Sequence, residues 1–147
     1  MTVALKMAEK AARKDEVPVG AVIVRNGAVI AKAHNLRETQ RNPLAHAELI
    51  AIRKASRILR SWRLTGCTLY VTLEPCPMCA GAIVNARIDE VVFGAYDPKA
   101  GACGTLYNLT EGCLNHKPRV TGGVMEAETA SVLKDYFKKK RSVDKGR

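Results

Sequence analysis

An α/β fold built on a mixed sheet, with helices on its faces, is predicted by three features of this 147-residue chain. Two short β-branched runs are joined by Asn26-Gly27, a strong sequence signal for a tight hairpin. Beyond them, strand-like and helix-like segments alternate, the pattern of crossovers between neighbouring strands. Amphipathic segments of helical period stand at both ends.

The elements follow in order. Residues 3–14 read as a short amphipathic helix. Residues 19–24 and 28–33 are the strands of the hairpin. A helix is expected over 43–59, with Asn42 as N-cap and Pro43 as its first residue. Residues 68–73 form a buried strand and 76–85 a second helix, whose start suits Pro75 and Pro77 because missing N–H groups cost little there. Residues 91–94 are another strand, followed by a Gly-rich loop to Gly104. Leu106 starts a short helical turn. Residues 119–125 form a strand weakened by Gly122 and Gly123, and 126–140 a helix ending in a basic tail. No repeat or linker interrupts the chain, so residues 1–147 are expected to be one domain.

Two strings carry the chemistry: His46-Ala47-Glu48 and Pro75-Cys76-Pro77-Met78-Cys79. His46, Cys76 and Cys79 supply three ligands of the kind that hold a catalytic zinc while leaving a fourth position for water. An imidazole–thiolate set favours zinc over hard, oxygen-preferring ions. Cys76 and Cys79 are i and i+3, so at a helix start they face the same way, and the positive dipole end stabilises thiolate. His46 and Glu48, two apart, converge on a metal only if it is approached end-on from a first turn. Two helix N-termini pointing at one zinc are therefore expected. Glu48 is the spare carboxylate, placed to carry protons rather than bind the metal. The pattern H-x-E…P-C-x-x-C is the signature of zinc-dependent nucleobase deaminases. Alone, C-x-x-C also suits a redox pair or a structural half-site. A structural zinc would want a second ligand pair, which the sequence lacks, and a redox pair would not explain H-x-E.

Composition narrows the partners. Formal net charge is +10 and pI about 9.6, the balance of a chain that attracts phosphates. Arg53, Arg57 and Arg60 fall on one helical stripe, and Lys138–Arg141 close the last helix. Helix-end cations are favourable in any case, and basic stripes are often simply solvated. Aromatics are only 5%, which excludes a broad stacking platform and favours a shape-dependent grip on folded RNA with one base taken out of the stack. No stretch approaches the roughly 18 apolar residues of a membrane span, and the N-terminus lacks a secretory pattern. Five cysteines, an odd number, argue against a disulfide framework, so Cys67, Cys103 and Cys113 read as free thiols. Thiolate ligands persist in a reducing compartment, hence the cytoplasm.

The chain resembles the bacterial tRNA adenosine deaminases. The resemblance is carried by residues 16–22 (EVPVGAV), Ala33-His34-Asn35, Ala45–Glu48, residues 69–76 (LYVTLEPC) and Cys79–Ala82. It continues through residues 91–95 (VVFGA), Asp97-Pro98-Lys99, Leu114-Asn115-His116 and Tyr136-Phe137. The zinc motif alone is shared with cytidine, deoxycytidylate, guanine and riboflavin-pathway deaminases; the flanking segments select the tRNA branch. The first helix is shorter than in that family. The resemblance implies a cytidine deaminase-like, three-layer α/β/α fold with a mixed five-stranded sheet, and a homodimer with one Zn²⁺ per subunit. It also implies conversion of the wobble adenosine to inosine in the anticodon of an arginine tRNA. By the same resemblance Asn35 lines the base pocket, Asp97 and Lys99 sit in a loop touching the anticodon, and Phe137, beside Tyr136, stacks on a flanking base. The bland alternatives are a turn residue for Asn35, an ordinary Asp-Pro turn for Asp97, and a core pair for Tyr136 and Phe137. His34 and His116 read as structural or exposed. The competing activity is deamination of a free nucleobase or nucleoside.

Overall fold

The computed structural model describes residues 1–146; Arg147, last of the expected domain, lies outside the described residues. Five strands form one mixed sheet in the order β2-β1-β3-β4-β5. β1 (Gly20–Arg25) pairs antiparallel with both β2 (Ala28–His34) and β3 (Cys67–Leu73), while β3, β4 (Glu90–Ala95) and β5 (Arg119–Thr121) run parallel. Helices α1 (Thr2–Arg13) and α4 (Glu126–Lys145) pack together on one face, and α2 (Ala47–Leu59) and α3 (Pro77–Asn85) lie together on the other. The three-layer expectation holds.

Local chemistry explains the layers. Asn26 and Gly27 both adopt positive φ, 51° and 76°, as a two-residue hairpin of matching twist requires. A bulge follows, because Ile23 faces Ala31 while Val24 faces Val29. On the α2/α3 side, Ala21, Ile23, Leu69, Val71, Val91 and Phe93 meet Ala51, Ala55 and Ile83 in the main core. On the other side, α1 buries Ala4, Ala8 and Ala11 and lies so close to β1 that any Cβ at Gly20 would overlap the Ala4 carbonyl and the Ala8 nitrogen.

Four expectations need correction. The helix after β2 starts at Ala47, not Pro43. Asn42 does not cap it; its Oδ1 accepts the Leu44 N–H at 2.9 Å in a local turn. The Glu16 carboxylate, fully buried, accepts the N–H groups of Glu38 at 3.0 Å and Thr39 at 2.6 Å and folds residues 36–46 into a loop. Leu106 starts no helix: its N–H and that of Tyr107 both donate to Gly101 O. β5 stops after three residues: Gly122 lies against the Phe93 ring, where no side chain fits, and Gly123, at φ 79°, turns the backbone out of the strand. Finally, α4 runs to Lys145, since nothing that breaks a helix stands before Gly146. Lys138–Arg141 are thus mid-helix, not the helix-end cations expected from the sequence.

Glu16 makes a testable contribution. Burial opposes its charge, but the hydrogen bonds from Thr39 and Glu38 prevail and hold the carboxyl below its ordinary range. A depressed folded pKa stabilises above the unfolded value and the benefit vanishes as pH falls through the folded value. Glu16→Gln is expected to cost about 2 kcal/mol at neutral pH, a Tm drop of several degrees. The gap to wild type should close on acidification below about pH 4. Thermal melts across pH check this; a gap that persists unchanged at pH 3 would sink it.

Candidate metal centre and substrate pocket

Two helices begin at the expected ligands. His46 is the N-cap of α2 (φ −77°, ψ 149°) and Cys76 the N-cap of α3 (φ −74°, ψ 173°); Pro77 opens α3 and Cys79 lies in its first turn. Extended backbone at both caps turns the side chains across the helix ends, where the dipoles favour thiolate. His46 Nδ1 stands 3.7 Å from Cys76 Sγ and 3.5 Å from Cys79 Sγ. One donor atom from each of the three residues falls within 4.8 Å of the others.

That spacing can be compared with a metal's demand. A tetrahedral zinc with Zn–S of about 2.3 Å and Zn–N of about 2.0–2.1 Å separates N from S by about 3.6 Å. The two observed separations bracket this value. The donor set and its spacing fit zinc.

The Cys76 thiol is pulled down to about 4, first by its hydrogen bond with Cys79 and, against burial, by that with His46. Cys79 is pushed up by the same pairing and by burial, and His46 is raised by its bond to Cys76.

Glu48 sits in the first turn of α2, 4% exposed, and outside the donor set. Burial raises its carboxyl, which suits a group that must both hold and release a proton. A pocket of about 160 Å³ opens onto it, lined by Val17, Asn35, Leu73, Asp97 and Ala100 together with His46, Glu48 and Cys76.

The other expected site residues divide. Asn35 lines the pocket and is buried; its Oδ1 accepts the Arg37 N–H at 3.2 Å, leaving the amide N–H₂ as the group it can offer a ligand. Asp97 also lines it, but its Oδ1 accepts the N–H groups of Lys99 (2.9 Å) and Ala100 (3.2 Å), as in an ordinary Asx turn. Lys99 is exposed and does not line the pocket. Phe137, 44% exposed, lies edge-to-face with Tyr136 along a groove that shares Val17, Asn35 and Arg37 with the pocket. Lys140 borders that groove and pairs with Asp15 at 2.8 Å. Arg53 and Arg57 are exposed on α2, while Arg60 leaves the helix in a left-handed cap (φ 51°).

Cys67, Cys103 and Cys113 are free, as expected. Burial pushes the Cys103 thiol up to about 12, which makes it inert. His34 is buried and His116 bonds the Ile88 carbonyl at 2.7 Å, so both are structural. Sequence reasoning assigned no role to two buried carboxylates, Glu74, which lines the pocket, and Glu16, which lines the adjoining groove. The available signal was an acid next to a Pro-containing, otherwise apolar run. Among the described residues no helix is long and apolar enough to cross a membrane.

Comparison with known proteins agrees with this geometry. The family described as MafB19-like deaminase matches residues 1–141. A tRNA-specific adenosine deaminase of Bacillus subtilis (strain 168) is 54% identical over 99% of this chain and 91% of its own length. A solved structure from work on A-to-I editing by tRNA:A34 deaminases at the wobble position superposes with a TM-score of 0.88 at 45% identity, covering 90% of this chain and 97% of that one. A guanine deaminase from Bacillus subtilis reaches a TM-score of 0.64 at 42% identity, covering 71% of this chain and 67% of that one.

Proposed function

Since the chain belongs to the tRNA-specific adenosine deaminases, within the MafB19-like deaminase family, we propose that it converts the wobble adenosine of an arginine tRNA to inosine. In this reading His46, Cys76 and Cys79 hold one zinc and Glu48 carries the protons. The enzyme is a hydrolase of a cyclic amidine C–N bond: water adds at C6 of the adenine ring, and the exocyclic nitrogen leaves as ammonia. When bound, zinc lowers the pKa of a coordinated water to about 7. Glu48 takes one proton from the water and passes it to ring N1, then takes the second from the hydroxyl added at C6 and passes it to the leaving amine. Its burial lets it hold each proton between transfers. The observation that supports this reading best is the N/S donor set at tetrahedral spacing with a buried, unligated carboxylate beside it.

In the same reading the Asn35 amide bonds the flipped base, the Asp97–Lys99 turn meets the anticodon backbone, and Phe137 stacks on a neighbouring base along the groove. The chain, as one domain, works as a cytoplasmic homodimer. The reducing requirement of the thiolates supports the compartment. Leu106, Tyr107 and Leu114, each about half exposed, are surface a second copy would cover. Sedimentation giving a monomer at working concentration would remove the dimer.

The deciding assay offers in vitro transcribed arginine tRNA with A at the wobble position, and adenosine, cytidine and guanine in parallel. Inosine should form in the tRNA alone; turnover of a free base instead would select the small-molecule alternative. Affinity for the tRNA should fall steeply with salt, each neutralised phosphate adding up to about 0.9 to the log–log slope on a duplex. Charge reversal at Arg53, Arg57 and Arg60, or at Lys138, Lys139 and Arg141, should flatten that slope for whichever cluster grips RNA and leave metal content intact. Binding indifferent to salt would remove the electrostatic argument.

A further inference from the structure

One wall of the pocket is tied down by a carboxylate that the chemistry above does not use. Glu74 immediately precedes Pro75-Cys76 and is 2% exposed. Its Oε1 accepts the Asp97 N–H at 3.1 Å and the Thr105 hydroxyl. Its Oε2 accepts the N–H groups of Cys103 and Thr105, both at 3.1 Å. All four donors come from the segment of residues 97–105. A second tie runs alongside, from the Ala102 N–H to the Pro75 carbonyl at 2.9 Å. Gly101 packs so closely on the carboxylate that no Cβ would fit. Asp97 and Ala100 of this segment line the pocket together with Cys76.

Burying a carboxylate is costly unless its oxygens are well bonded. Here both oxygens are used twice, and a neutral amide, with one acceptor oxygen, could not match the same donors. A residue serving only to fill space at the end of β3 would not need to be an acid. We propose that Glu74 is a positioning residue. It locks the 97–105 wall to the backbone that delivers Cys76, so that the target ring is held in register with the metal end of the pocket. This rests on the deaminase reading.

The test uses full-length Glu74→Gln and Thr105→Val on an anticodon stem-loop with A at the wobble position. Glu74→Gln should keep one zinc per chain and raise KM about tenfold or more with a smaller change in kcat, because a loosened wall grips the ring less tightly in ground state and transition state alike. Thr105→Val, which removes only the hydroxyl donor, should raise KM a few-fold, and the double variant should be no worse than Glu74→Gln. Amide exchange at Asp97, Cys103 and Thr105 should quicken in Glu74→Gln. A merely structural role would lower Tm and the active fraction, so that kcat falls at unchanged KM; that result overturns the proposal. If Glu74→Gln does not fold, Thr105→Val decides alone, and a wild-type KM there overturns it. If the wild type turns over only a free base, the substrate reading fails, and the same KM comparison on that base judges Glu74 separately.

Discussion

Glu48→Gln should bind metal and tRNA like wild type yet lose about 10²–10⁴ in kcat, the usual effect of removing one general acid/base. The loss should lie at the upper end, because in the proposed function one carboxylate would serve both proton relays, from the water to ring N1 and from the added hydroxyl to the leaving amine. The substitution is chosen to keep shape. Glu48 is 4% exposed, so truncation to Ala would also open a cavity in the first turn of α2 and blur the result. Metal content should not change, since the carboxylate stands outside the His46–Cys76–Cys79 donor set. Nor should RNA affinity, which the proposed function assigns to phosphate contacts and the pocket walls. Single-turnover kinetics with bound tRNA, run beside zinc analysis and a binding titration, separate these quantities. A variant within a few-fold of wild type would place the acid/base on another residue.

Most of what the sequence revealed and concealed turns on how far away the groups that satisfy the backbone lie. The hairpin was legible because Asn26-Gly27 sets its own dihedrals, and α3 because Pro77 directly follows the capping Cys76. Both are decided within a few residues. The gathering of His46, Cys76 and Cys79 was legible because the chemistry demands specific atoms, and their place at two helix starts followed from His46 and Glu48 being two apart. The misread stretches are those whose backbone donors are satisfied from far away. Asn42-Pro43 is a sound local helix start, but the loop containing it answers to Glu16, 22 and 23 positions upstream of its bonded partners. Leu106 follows a segment held by Glu74, 31 positions before Thr105. No window of local propensity contains either carboxylate. The extent of α4 was missed for a different reason: the basic run looked like a C-terminal cap, yet the residues beyond it are ordinary helix formers. Asn35 needed the resemblance, because a lone Asn after a strand is locally indistinguishable from a turn residue.

Cys76→Ser, Cys79→Ser and His46→Ala should each lose the metal and, with it, all measurable turnover. Three protein ligands are the fewest that hold a catalytic zinc, and a serine hydroxyl is a far poorer donor than thiolate to a borderline-soft ion. Elemental analysis should find about one zinc per wild-type chain and much less in each variant, while Cys113→Ser, an exposed thiol outside the donor set, keeps it. Stability gives an independent readout. If zinc is held by these donors of the folded chain, wild type should melt at a lower temperature after chelation, by the linkage of binding to folding, and melt as before once zinc is restored. The three ligand variants should be indifferent to both treatments. His46 and Cys76 begin two different helices, so metal loss should also loosen the junction of α2 and α3, with faster amide exchange in both first turns. A ligand variant that retains a full equivalent of zinc, or an active wild-type preparation containing none, would break the assignment. In the first case the ion is held elsewhere; in the second the deamination proceeds without it.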